Sequence, residues 1–268
     1  MSSELDVLQG HYRPGLERDR LVGEDGEPRL ELARSLELLE RLLPTPPADV
    51  LDVGGGPGTY AARLAAAGHR VVLVDLLPSH VEEARAAGGG SFQAEVGDAR
   101  RLEHPDGSFD AVLLMGPLYH LTERHDRLAA LREAHRVLRA GGRLVAVGIS
   151  RFASLFDGLT RGRLGEEAFR RVVEQDLADG QHRTPDPERP EWFTTAFFHH
   201  PDELRAEVEE AGFAVEELLG IEGPGWLVEE RWDDPTEREH MVYAARAVEG
   251  EPSLAGLSAH LLAAAVRR

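Results

Sequence analysis

An aliphatic run that ends in a cluster of glycines is the feature that most constrains this chain. Residues 50–53, Val-Leu-Asp-Val, lead directly into 54–58, Gly-Gly-Gly-Pro-Gly, and a segment with helical spacing follows at 60–67. Glycine lets a backbone turn tightly and approach a ligand closely, because no Cβ stands in the way. A strand, a glycine turn and a helix in this order predict a nucleoside-containing ligand at the carboxyl end of the strand.

Short aliphatic runs alternate with helical patterns through the region that contains the glycine turn. The runs cover residues 49–53, 70–74, 109–115 and 143–149, and the second of them shows no polar alternation. Continuous apolar runs are typical of strands that are buried on both faces. Their alternation with helices predicts an α/β fold with a doubly wound, mostly parallel sheet.

The rhythm of strands and helices divides the chain into four predicted parts. Residues 1–47 are expected to form an N-terminal helical cap, 48–150 the α/β core, 151–200 an inserted helical lid, and 201–268 the completion of the core. The lid segment carries a concentration of aromatic side chains, at Trp192, Phe193, Phe197 and Phe198. These aromatics are interpreted either as the small core of a helical subdomain or as the wall of an apolar substrate pocket, and both can hold.

Composition limits the possible partners and the possible chemistry. The 268 residues include 30 Lys and Arg against 48 Asp and Glu, so the formal net charge is −18 at pH 7. Such acidity disfavours nucleic acid and anionic membrane surfaces as partners. The chain has no cysteine, which excludes disulfides, Cys-based zinc sites, iron–sulfur clusters and thiol catalysis. Because no secretion signal or long apolar segment is visible, a cytoplasmic protein is expected.

An acidic residue follows the second aliphatic run at the place where a nucleoside ligand needs one. Asp75 lies 21 positions beyond Gly54 and can accept hydrogen bonds from a ribose diol. Nicotinamide sites usually have the spacing G-x-G-x-x-G, whereas residues 52–58 have D-x-G-x-G-x-G with Pro57 between the last two glycines. A nicotinamide oxidoreductase is therefore the less favoured alternative.

Four motifs in a fixed order make the sequence similar to one enzyme family. They are the glycine turn at 50–58, Gly-Asp-Ala at 97–99, the run at 109–114, and the helix and glycine turn at 131–144. In these motifs the chain resembles the class I S-adenosylmethionine-dependent methyltransferases. The resemblance implies a Rossmann-like methyltransferase fold with seven strands, S-adenosyl-L-methionine as cofactor and S-adenosyl-L-homocysteine as product.

The resemblance also implies which residues contact the cofactor. The glycines shape the loop beneath the methionine and ribose parts, and Asp52 orients this loop or meets the amino group. Asp75 accepts hydrogen bonds from the ribose hydroxyls, and Asp98 accepts a hydrogen bond from the adenine amine. Tyr12 and Arg20 are expected either to cover the site or to be ordinary surface residues. The full predicted cofactor set is Tyr12, Arg20, Asp52, Gly54, Gly55, Gly56, Gly58, Asp75, Leu76, Asp98, Ala99, Met115, Gly116 and His120.

Methyl transfer from a sulfonium is an in-line displacement, so the protein chiefly aligns and desolvates the reactants. A base is needed only if the acceptor loses a proton. The candidates for this role are Tyr119, His120 and His199.

No metal is expected, and the acceptor is expected to be a small, partly apolar molecule methylated at O, N or C. The alternatives are a protein or RNA acceptor and a non-catalytic module that binds the cofactor. The sequence leaves the oligomeric state open.

Overall fold

The helices and strands are seen in a computed structural model that describes residues 21–23, 27–183, 189 and 192–268. The helices are α1 Leu30–Leu42, α2 Thr59–Ala66, α3 Pro78–Gly88, α4 Pro117–His120, α5 Arg124–Val137, α6 Ala153–Thr160, α7 Glu167–Asp179, α8 Pro201–Glu210 and α9 Pro235–Val248. The strands are β1 Asp49–Val53, β2 Arg70–Asp75, β3 Gln93–Val96, β4 Phe109–Leu114, β5 Leu138–Ser150, β6 Gln181–His182, β7 Ala196–His199, β8 Phe213–Gly220 and β9 His260–Arg267. Short 3₁₀ turns cover Arg163–Gly165, Gly223–Arg231 and Ala255–Leu257.

The described strands form one nine-stranded sheet, in which seven strands lie in the order β3-β2-β1-β4-β5-β9-β8. β3, β2, β1, β4 and β5 are mutually parallel, whereas β9 runs antiparallel to both β5 and β8. This arrangement confirms the predicted doubly wound, mostly parallel α/β fold. Because β9 runs in reverse, its first residue lies at the edge of the sheet where the parallel strands end.

Apolar side chains cover both faces of the central strands. Along β4, Ala111 and Leu113 belong to one buried cluster, while Val112 and Leu114 belong to another on the opposite face. Strands that are buried in this way show the continuous apolar runs seen in the sequence. Burial on both faces holds the strand ends rigidly, and the candidate site is built on those ends.

A two-stranded addition extends the sheet beyond its main path. β7 is parallel to the last two residues of β5, at Ile149 and Ser150, and β6 is antiparallel to β7. Ile149 also pairs with His260 of β9, so β7 lies on the other edge of β5. The residues of β7 were expected within a helical lid, and their pairing with β5 corrects this expectation. The boundaries of the four predicted parts stay predictions.

The described part of the chain contains no helix that is long and apolar enough to cross a membrane.

Candidate functional site

A cavity opens at the carboxyl ends of β1, β2 and β4, where ligands bind in open α/β sheets. Most of the residues that the sequence predicted for the site lie on its wall. They are Asp52, Gly54, Gly55, Gly56, Asp75, Leu76, Asp98, Ala99, Met115, Gly116, Tyr119 and His120. The structure therefore brings together residues from the ends of β1, β2, β3 and β4, whereas the motif at 131–144 contributes none to the wall.

The glycine loop is held in place by the end of β2. Gly54 N donates to the carbonyl of Val74 at 2.7 Å, and Gly56 N donates to Asp75 Oδ2 at 2.8 Å. The other oxygen of Asp75 accepts from Leu77 N at 2.9 Å and lies 3.2 Å from His80 Nδ1. The Asp75 carboxylate thus shapes the loop as well as facing the cavity.

Close approach explains two of the glycines in the loop. Gly54 has φ +70°, and a Cβ there would lie 2.6 Å from Pro117 Cγ. A Cβ on Gly55 would lie 2.6 Å from Asp52 Oδ2. The loop can pass over Asp52 only because this side chain is missing.

Asp52 is a buried carboxylate without a counter-charge. Its residue is 1% exposed, no described side chain donates a hydrogen bond to either carboxylate oxygen, and the backbone amide of Ala61 stabilises the charge only in part. Burial, with the negative charge of Asp75 adding to it, raises the pKa of Asp52 from 3.8 to about 7. A cationic group in the cavity would restore the balance of charge. The protonated amino group of S-adenosylmethionine is such a cation, so this residue fits the predicted cofactor.

Asp98 has a partner that the sequence did not reveal. Its two oxygens accept hydrogen bonds from the Arg100 guanidinium, with Nη2 at 2.7 Å from Oδ2, and Oδ1 also accepts from Arg100 N at 2.9 Å. Burial alone would raise the pKa of Asp98, but the hydrogen bonds and charge of Arg100 hold it below its usual range. An adenine amine at Asp98 would therefore share the carboxylate with Arg100.

Aromatic rings meet at the end of the cavity that follows β4. The Tyr119 hydroxyl donates to the carbonyl of Met115 at 3.2 Å, which ties the turn to the strand end. The His120 ring lies 4.7 Å from the Tyr119 ring and stacks at 6.4 Å on Phe193. Phe193 has φ +70°, a backbone conformation that costs free energy in a residue other than glycine. The lid segment thus contributes a ring that packs behind His120, whereas Phe193 itself is not on the described cavity wall.

The other aromatic side chains of this segment lie elsewhere. Trp192 packs with Phe169 and Val173 in a small separate core, and Phe197 lies beneath the Arg127 guanidinium at 3.6 Å from its ring centre. The small-core interpretation therefore describes Trp192, while none of the four aromatics lines the described cavity and Phe193 adjoins it only through His120.

The structure does not bring His199 to the cavity, which corrects its prediction as a catalytic residue. His199 is the last residue of β7 and is 0% exposed. Its Nε2 lies 3.5 Å from Glu207 Oε2, and Glu207 also accepts two hydrogen bonds from Arg127. Burial lowers the pKa of His199. The ring therefore belongs to a buried polar network that joins β7 to α5 and α8.

Of the remaining predicted residues, only Gly58 falls within the described part of the chain. Gly58 is not on the wall; it has φ +88° and stands at the start of α2, where it lets the loop enter the helix. Tyr12 and Arg20 lie outside the described residues.

Several wall residues escaped the sequence analysis, namely Leu21, Glu31, Pro57, Thr59, Tyr60, Leu77, His80, Gly97, Arg100, Pro117 and Leu121. Some of them lie in or next to the recognised motifs, and this position in the sequence was the signal that could have identified them. His80 could have been found because it follows Asp75 in the first turn of α3. Glu31 carried no signal, since it lies in an amphipathic helix far from every motif.

Comparisons with known proteins agree with this geometry. A family model described as a methyltransferase domain matches residues 50–142. The chain is 29% identical over 218 residues to a ubiquinone biosynthesis O-methyltransferase of Xanthomonas axonopodis pv. citri, covering 79% of this chain and 81% of that protein. It is 34% identical over 138 residues to a ubiquinone/menaquinone biosynthesis C-methyltransferase of Rubrivivax gelatinosus, covering 47% and 54%. The fold matches that of an S-adenosylmethionine-dependent methyltransferase from Mesorhizobium loti with a TM-score of 0.61, at 18% identity and covering 89% and 100%.

Replacing Asp52 by Asn tests the buried carboxylate. In the ligand-free wild type, the native state holds the Asp52 proton more tightly than the unfolded state does. The contribution of Asp52 to the unfolding free energy therefore falls as the pH rises from about 4 to about 7, by an amount on the order of 4 kcal/mol. We expect the unfolding free energy of the wild type, measured with urea relative to that of Asp52→Asn, to fall over this range.

The matched control is Asp233→Asn, which changes an exposed carboxyl group. We expect this variant to follow the wild type at every pH. Equal pH dependence of the unfolding free energy in wild type and Asp52→Asn would contradict the assignment.

Proposed function

This chain is a class I S-adenosylmethionine-dependent methyltransferase, and we propose that it methylates a small, partly apolar acceptor. The observation that carries the proposal is the cavity wall, where a cofactor cradle and a group of aromatic rings adjoin each other. The hydroxyl oxygen of a ring compound is the acceptor atom that we test first. Amine nitrogen and ring carbon are the alternatives.

The cofactor end of the cavity is proposed to work through charge and backbone shape. Bound S-adenosylmethionine supplies a methyl group already activated by the positive sulfonium. Asp52 would hold the ammonium of the methionine part, because its carboxylate is buried and lacks a counter-charge. Asp75 would accept from the ribose diol while it keeps the amide of Gly56 in place. Asp98, braced by Arg100, would face the adenine amine.

The acceptor end is proposed to lie beside Tyr119, His120 and Phe193. Aromatic rings at this place favour a flat, partly apolar molecule, because they bury apolar area and pack against other rings in offset-stacked or edge-to-face arrangements. Enclosure of the acceptor here would exclude water and align its nucleophilic atom with the methyl group. Because methyl transfer to a hydroxyl releases a proton, we assign the base to His120, which lines the cavity.

Two further observations support an acceptor of this class. The two relatives are named for steps in ubiquinone or menaquinone biosynthesis, one at oxygen and one at carbon. The formal net charge of −18 opposes the approach of a polyanion such as RNA. A small neutral or cationic acceptor meets no such barrier.

A labelling experiment tests the acceptor class. Purified enzyme with radiolabelled S-adenosylmethionine would be offered a panel of small phenols, hydroquinones, amines and indoles, and separately tRNA and a protein extract. We expect label in organic-extractable products of a ring hydroxyl compound, and loss of that label when S-adenosylhomocysteine is added.

Labelling confined to RNA or protein would contradict the proposal. Tight binding of S-adenosylhomocysteine with no label in any acceptor would indicate the non-catalytic module instead.

Replacing His120 by Ala tests the assigned base. We expect kcat to fall by about 10²–10⁴-fold, because general base catalysis typically contributes that much. The affinity for S-adenosylhomocysteine, measured by calorimetry, should change far less, and the limb of the pH–rate profile that reports the base should disappear.

His125→Ala is the matched control, since the His125 side chain is 79% exposed. Tyr119→Phe should have a smaller effect than His120→Ala, because the Tyr119 hydroxyl positions the turn through Met115. An unchanged kcat in His120→Ala would show that the acceptor needs no base at this position.

A further inference from the structure

Three side chains from distant parts of the sequence converge beside the cavity. Glu31 lies in the first turn of α1, Glu222 follows β8, and His260 begins β9. Each offers one ligand atom, and these atoms all lie within 4.8 Å of one another. None belongs to the motifs that define the cofactor site, and no role has been assigned to them above.

The topology of the sheet explains why this cluster adjoins the cavity. His260 pairs with Ile149 near the end of β5, so it stands at the same edge as the ends of the parallel strands. Glu31 is itself part of the cavity wall. A ligand held by the three side chains would therefore lie at the border of the space where methyl transfer takes place.

The carboxylate of Glu222 is fixed in one orientation. Its Oε2 accepts from the Ser258 hydroxyl at 2.7 Å and from His260 N at 3.0 Å. Ser258 Oγ in turn accepts from Glu222 N at 3.0 Å, which closes a buried ring of hydrogen bonds. Hydrogen bonds of this kind from a second shell orient carboxylates that bind metals. They leave Oε1 directed at the imidazole of His260.

The donor atoms lie close to one another, and rotation of the His260 and Glu31 side chains would bring them to the separations that one cation requires. His260 Nδ1 lies 2.5 Å from Glu222 Oε1 and 3.9 Å from Glu31 Oε2. Ligand atoms about 2.1 Å from a tetrahedral metal stand about 3.4 Å apart. Side-chain rotations that widen the first distance and shorten the second would bring the three atoms around a metal ion.

We propose that Glu31, Glu222 and His260 bind one first-row divalent cation of the zinc or manganese class at the border of the cavity. One imidazole nitrogen and two carboxylate oxygens suit these ions, whereas magnesium prefers oxygen and water ligands. Three protein ligands leave at least one position for water or another oxygen ligand, as in catalytic rather than structural zinc sites. The site depends on neither the acceptor nor the identity of the base.

Direct metal binding tests the proposal without an activity assay. The full chain, freed of any affinity tag and treated with chelator, would be titrated with Zn²⁺ and with Mn²⁺ by calorimetry, and Mn²⁺ binding would also be followed by electron paramagnetic resonance. We expect one equivalent to bind, with Zn²⁺ tighter than Mn²⁺. Glu31→Gln and His260→Ala should each weaken binding at least tenfold, since even loss of a second-shell partner of a metal ligand costs about 10–100-fold.

Matched controls change the same residue types outside the cluster. Glu230→Gln and His240→Ala alter side chains that are 71% and 70% exposed, and both variants should bind metal as the wild type does. Circular dichroism and thermal unfolding would establish that each variant is folded. Glu31→Gln, on a helix surface, keeps the test valid if His260→Ala fails to fold.

Two results would overturn the proposal. One is the absence of a stoichiometric site for either ion in the wild type. The other is binding that survives both Glu31→Gln and His260→Ala, which would place the metal elsewhere. In either case Glu222 and His260 form a hydrogen-bonded pair that acts without a metal.

Discussion

The carboxylate of Asp52 is buried at the end of β1 with no counter-charge, and the architecture of the site depends on this constraint. A parallel sheet delivers the ends of neighbouring strands to one edge, so Asp52 and Asp75 are brought close together beneath the glycine loop. The fold carries the cost of keeping a second negative charge away from water. A ligand with a positive group would remove this unfavourable free energy, and the edge of the sheet therefore favours such a ligand.

The other parts of the site follow from the same edge. Asp75 binds the amide of Gly56 and so fixes the loop that passes over Asp52. The turn after β4 places Tyr119 and His120 next to this loop, and the segment before β7 adds the Phe193 ring. Because β9 is antiparallel to β5, its first residue, His260, lies at the edge of the sheet where the parallel strands end. One sheet edge thus supports the cofactor cradle, the aromatic wall and the proposed cation site.

The sequence could predict those parts of the structure that produce a local pattern of apolar residues or glycines. The apolar runs of β1, β2 and β4 are continuous because both faces are buried, and the glycines of 54–58 are spaced for one loop. The strand β3 was missed, because four residues with exposed ends carry no such run. Asp52 and Asp75 could be found with the strands because they lie at the ends of β1 and β2, whereas Asp98, which follows β3, was found through the Gly-Asp-Ala motif.

Contacts between distant segments could not be predicted from local pattern. His199 ends a segment rich in aromatic residues, and the sequence analysis assigned it to the site. The pairing of β7 with β5 instead buries its side chain next to Glu207. Arg100 is two residues from Asp98, but the hydrogen bonds that it donates to that carboxylate depend on the conformation of the turn between them. Glu31, Glu222 and His260 are separated by most of the chain, and only the reversed direction of β9 brings them together.

The number of protons released when S-adenosylhomocysteine binds tests the central role of Asp52 most directly. With a pKa of about 7 in the ligand-free protein, Asp52 is mostly protonated at slightly acid pH, and an incoming ammonium group should expel that proton. Calorimetry in buffers with different ionisation enthalpies should give a release of a large part of one proton per ligand at slightly acid pH, falling towards zero as the pH rises well above 7. Asp52→Asn should release none. Proton release that is absent in the wild type, or that is the same in the variant, would contradict the account.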